Sequence, residues 1–75
     1  MSKHIRTIKV GPYNVTQSEE DGKKQVFVRM IGYWASATAV EHGCPLIDNK
    51  DREHSIAERH LPGVFKAIDE LEAEQ

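Results

Sequence analysis

The sequence predicts an α+β fold: a three- to four-stranded antiparallel β-meander with one C-terminal amphipathic helix packed on one face. Three observations predict it. Asp21-Gly22 sits between two runs of strand-forming residues, apolar positions repeat at helical spacing from residue 61 to 71, and 75 residues leave room for little more than two such layers.

Taken in order, His4-Ile5-Arg6-Thr7-Ile8-Lys9-Val10 reads as a first strand. Ile5 and Ile8 fall on opposite faces, so a bulge or a partly exposed side is implied. Gly11-Pro12 either turns the chain or kinks one long bent strand. Tyr13-Asn14-Val15-Thr16-Gln17 alternates, with Tyr13 and Val15 on one face and Asn14 and Thr16 on the other. Asp-Gly then supplies the positive φ angles of a tight hairpin. Gln25-Val26-Phe27-Val28-Arg29-Met30-Ile31 follows, apolar on both faces except at Arg29, which is the pattern of a central strand covered on both sides.

Residues 32–43 are ambiguous. Trp34, Ser36, Thr38 and Val40 alternate as in a fourth strand, whereas the alanines and a terminal Gly43 fit a short helix; the alternation is given precedence. The cluster of Gly, Pro, Asn and Asp over residues 43–52 reads as a loop, and Glu53 to His60 as a helical turn or two. The helix over residues 62–74 has Pro62 in its first turn, an apolar stripe of Leu61, Val64, Phe65, Ile68 and Leu71, and Lys66, Asp69, Glu70 and Glu72 off that stripe. It covers the sheet face made by Val26, Val28 and Met30. Nothing obvious covers Phe27, Ile31 and Tyr33, for which a second copy of the chain is the simplest lid and a crossing loop the next.

One domain over residues 1–75 is expected, since a chain of this size buries only about 60% of its unfolded surface and has little core to divide. That thin core also favours self-association, as a dimer. A hydrophobic content of 39% beside 29% charged residues is that of a folded chain and not of a disordered one. The single cysteine, Cys44, cannot form an internal disulfide, and the amino terminus has no apolar signal region, so a cytoplasmic location without membrane association is expected. Charge is divided along the chain. Residues 1–35 carry six basic side chains against three acidic ones, a balance of +3; residues 36–75 carry four against nine, a balance of −5.

Few residue sets promise chemistry. His42, Cys44, His54 and His60 are the ligand types of a zinc site, but one residue between His42 and Cys44 is not a zinc knuckle, and His54 and His60, six positions apart, do not align on a helix. No metal and no cofactor is expected. Cys44 is followed by Pro45 and lacks any recognisable oxyanion donor set, which argues against a nucleophile. The carboxylates of Glu19-Glu20-Asp21 and of the C-terminal helix are placed for solvation. There is no phosphate loop and no nucleophile elbow, so catalysis is not expected.

Binding is what remains. Phe27, Arg29, Tyr33 and Trp34 are the candidate contact residues of a small regulatory or accessory module that works by touching another protein, with aromatic anchors and Arg29 as a hydrogen-bonding fork. The alternative is a nucleic-acid binder that stacks bases on the same face and sets Lys3, Arg6, Lys9, Lys23, Lys24 and Arg29 against phosphates. A pI near 6.0 and a 7% aromatic content weigh against it.

Overall fold

The computed structural model describes residues 3–73. Six strands form one antiparallel sheet in the order of the chain: β1 (Lys3–Val10), β2 (Tyr13–Glu20), β3 (Lys23–Met30), β4 (Tyr33–Ser36), β5 (Leu46–Asp48) and β6 (Glu53–His54). Helix α1 (Ala37–Glu41) interrupts the meander after β4. A 3-10 turn (Glu58–His60) then leads into α2 (Leu61–Ala73).

The first three connections are two-residue turns at 11–12, 21–22 and 31–32. Asp21 and Gly22 have φ of 54° and 79°, and positive values at both positions define the type I′ turn whose twist matches that of its strands. In β1 the pairing slips between His4 and Arg6, so Ile5 occupies a bulge; this reconciles two isoleucines of opposite parity with one strand. Gly11-Pro12 is a turn and not a kink.

The ambiguous stretch contains both alternatives. Tyr33–Ser36 pairs with β3, and Ser36 Oγ then accepts a hydrogen bond from Ala39 N at 3.2 Å, capping α1. At its other end Gly43 N donates to Val40 O and Cys44 N to Ala39 O, the paired bonds of a Schellman motif.

Two expectations are corrected downstream. The sheet has six strands and not three to four, because β5 lies within the expected loop and β6 within the expected helical turns. These strands are three and two residues long, too short to show a period; pairing creates them, β5 with β4 and β6 with β5. The helix starts at Leu61, and Glu74 lies outside the described residues.

All the covering elements lie on one side of the sheet. Val15 and Val28 are fully buried beneath Val64, Ile68 and Leu71 of α2, while Ala37 and Val40 of α1 and Leu46 of β5 extend the same core. Phe65 departs from the expected stripe and stands 38% exposed, since the buried row of α2 is Val64, Ala67, Ile68 and Leu71. Gln17 is the polar member of this core. Its Nε2 donates to Leu71 O at 3.0 Å, satisfying a carbonyl in the last turn of α2.

The bend between β6 and α2 is fixed by Tyr13 and Gly11. Tyr13 Oη accepts from Ala57 N at 3.1 Å, and the Tyr13 ring meets His60 edge-on with centroids 5.7 Å apart. At Gly11 (φ 58°) a Cβ atom would come within 2.5 Å of the His60 ring, so a side chain here is strained by the backbone and requires that ring to move.

Candidate interaction face

The outer face of the sheet, away from both helices, is built by strand parity. Register sets Asn14 and Thr16 of β2 beside Arg29 and Phe27 of β3, and these in turn beside Trp34 and Ser36 of β4. Ile47 of β5 lies opposite Trp34. The Phe27 and Trp34 rings meet edge-to-face, with centroids 6.2 Å apart and planes at 66°. Trp34 is 53% exposed and Ile47 39%, a large apolar area for a surface strand.

A polar border surrounds this pair. On the β1 side Thr7 Oγ1 and Thr16 Oγ1 lie 3.1 Å apart, and Thr7 Oγ1 lies 2.7 Å from His4 Nε2. A shallow depression of about 480 Å³ between Phe27, Trp34 and Arg29 is bordered by Thr16, Ser18 and Gln25. A second depression, of about 410 Å³, adjoins Arg29 from Asn14 and Ile31. Phe27, Arg29 and Trp34 therefore share one surface, as the sequence reading requires of a contact site.

Tyr33 does not join them. The two-residue turn at 31–32 makes Met30 and Tyr33 partners on the same face, so Tyr33 points to the helix side, where its ring lies 3.9 Å from that of His54. Ile31, expected on the outer face, occupies the turn and is 95% exposed. The second face of β3 is thus open and not covered by any of the described elements.

The basic residues are divided as well. Lys9 and Lys23 pair with Asn14 and Glu20 on the outer face with Arg29, whereas Lys3, Arg6 and Lys24 pair with Glu19, Gln17 and Glu19, on the opposite face. The histidines and Cys44 are scattered. His42 Nδ1 lies 2.7 Å from Thr38 O, Cys44 is exposed after α1, His54 contacts Asp48, and His60 packs on Tyr13. Among the described residues no three His, Cys, Asp or Glu side chains are placed to hold a metal ion.

Sequence reasoning missed Asp48, a polar side chain tied to several partners. Only 5% exposed, it accepts from Lys50 N (2.8 Å), Arg52 N (3.0 Å) and Arg52 Nε (2.8 Å), and lies 3.1 Å from His54 Nε2. The Arg52 backbone bond is foremost in holding this carboxyl far below the usual carboxylate range, with His54, Lys50 and the Arg52 guanidinium adding to it against the opposing effect of burial. The signal was present in Asp48-Asn49-Lys50, an Asx-turn composition. Asp48 closes the β5–β6 hairpin and so holds Ile47 on the outer face. On the helix side Glu72 is displaced the other way, its carboxyl raised by partial burial and then by the neighbouring Glu41 and Asp69.

The fold and this face define an α+β meander with one covered and one open sheet surface. No family model, curated protein or solved structure matches the chain. No helix among the described residues is long and apolar enough to cross a membrane.

Proposed function

We propose that this protein is a non-enzymatic binding module, of a regulatory or accessory kind, that acts in the cytoplasm by contacting another protein through the outer face of its sheet. The observation that carries this reading is the exposed Trp34 stacked edge-on against the half-buried Phe27, with Ile47 on one side and Thr16, Ser18, Gln25 and Arg29 bordering the other. An apolar, aromatic centre within a hydrogen-bonding rim is the anatomy of a protein interface. Arg29, directly across from Trp34, supplies a planar donor fork at the margin of that centre.

The division of Lys3, Arg6 and Lys24 from Lys9, Lys23 and Arg29 disfavours the nucleic-acid alternative, because a phosphate backbone tracked along the aromatic face would meet half of the basic set. The test is a photo-crosslinking amino acid placed at Gln25, on the outer face, in the protein expressed in cells. Crosslinks to protein that disappear with Phe27→Ala or Trp34→Ala are the expected result. Crosslinks confined to nucleic acid, or none above a probe placed at Lys66 on the helix side, overturn the proposal.

A further inference from the structure

We infer that the partner on the outer face is a second copy of this chain, the two sheets packing face to face about a two-fold axis near Trp34. This rests on the reading of that face as a protein interface and names its occupant.

Three physical features point to self-association. The first is area. The two longer dimensions of the molecule are 30 and 27 Å, so the broadest face it can offer is roughly 600 Å², and two such faces fully engaged remove at most on the order of 1,200 Å², which reaches the lower end of a standard interface. The second is self-complementarity. Thr16, Ser18 and Gln25 can each both donate and accept, and the charges bordering the face have both signs, Lys9, Lys23 and Arg29 with Glu20 and Glu53. A face of one sign would repel its own copy, whereas this one can meet itself across a two-fold axis. The third is layering. The sheet has its core on one side only, and a facing sheet about 10 Å away supplies the missing layer of a sandwich.

Because Trp34 is the one tryptophan in the sequence, its fluorescence reports on this surface alone. The experiment combines light-scattering mass, at protein concentrations up to about 100 μM and at low and high salt, with acrylamide quenching of Trp34 and absorbance at 260 nm. Expected is a salt-insensitive particle of twice the 8.5 kDa chain mass, free of nucleic acid, in which Trp34 is shielded. Trp34→Glu should weaken the dimer by at least about 30-fold. Ile47→Lys, across the strand from Trp34, should also weaken it. Phe65→Glu, on the helix side, should leave it intact.

A monomer at the highest concentration overturns the inference. So does a dimer with freely quenched Trp34, or one dissolved by Phe65→Glu and not by Trp34→Glu. Crosslinking from Gln25 keeps this failure separate from failure of the broader proposal: a monomer that still crosslinks to a different protein retains the interface and changes its occupant.

Discussion

Replacing Gln17 tests how the helix is fastened to the sheet. Its side chain is 1% exposed and bridges β2 to the last turn of α2 through the 3.0 Å bond to Leu71 O, and Leu71 is itself fully buried. In Gln17→Leu the carbonyl loses its donor without access to water, a cost of about 1–3 kcal/mol that the added apolar contact offsets in part. Gln17→Ala adds a cavity, and its total is expected at about 2–4 kcal/mol. For a domain of this size that lowers the melting temperature by roughly 10–20 °C. Thermal melts followed by circular dichroism give the magnitude, and amide exchange in the last turn of α2 gives the location. Gln17→Glu supplies the sharper control, because a buried carboxylate would face the Leu71 carbonyl. Burial raises the pKa of that introduced carboxyl, so the variant is most stable at low pH, where the acid donates to the carbonyl, and loses stability as pH rises through the raised value. A Gln17→Ala protein that melts within about 2 °C of the parent, with unchanged exchange at the end of α2, would refute the reasoning.

Other expectations are more local. The Asp48 carboxyl titrates far below its unfolded value, so its stabilisation is fully present above the ordinary carboxylate range and is lost as pH falls below it; acid titration of Asp48→Asn should lack that part of the parent's stability loss. Glu72 has the opposite sign: its pKa is raised first by partial burial and then by Glu41 and Asp69, a penalty on the charged form that acid relieves, and Glu72→Gln should stabilise by about 0.3–0.5 kcal/mol at pH 7 and by nothing at pH 3, read from denaturant midpoints. Gly11→Ala should cost about 1–3 kcal/mol from its positive φ and its clash with His60, and a double-mutant cycle with His60→Ala should recover the clash and not the φ component.

The long elements were legible because local chemistry and tertiary environment agree there. Asp21-Gly22 fixes a hairpin in any context, and Val64, Ile68 and Leu71 mark a buried helical row without reference to the sheet. Phe65 was misplaced because a stripe read at helical spacing does not reveal its width, which is set by the area of sheet beneath it. β5 and β6 were hidden for another reason. Their few residues have no periodicity, and their conformation follows from the side chain of Asp48 and from β4 alongside. Of the candidate contact residues, Phe27, Arg29 and Trp34 fall on one sheet face. Tyr33 does not, because a two-residue turn returns its closing pair to the same face, so parity must be counted through the pairing and not along the chain.

The order of the strands also governs how the molecule forms. Every strand pairs with its neighbour in sequence, so the sheet can grow by successive local hairpins with little loop-closure entropy, a topology associated with rapid folding. The Gln17–Leu71 bond is different, joining residues 54 positions apart. Docking of α2 is therefore the non-local step, and during synthesis it must wait until α2 itself has left the ribosome. In that interval both surfaces of the sheet are bare. The charged edge of β1, with Lys3, Arg6 and Lys9 and a bulge at Ile5, then guards the nascent sheet against joining strands with its neighbours.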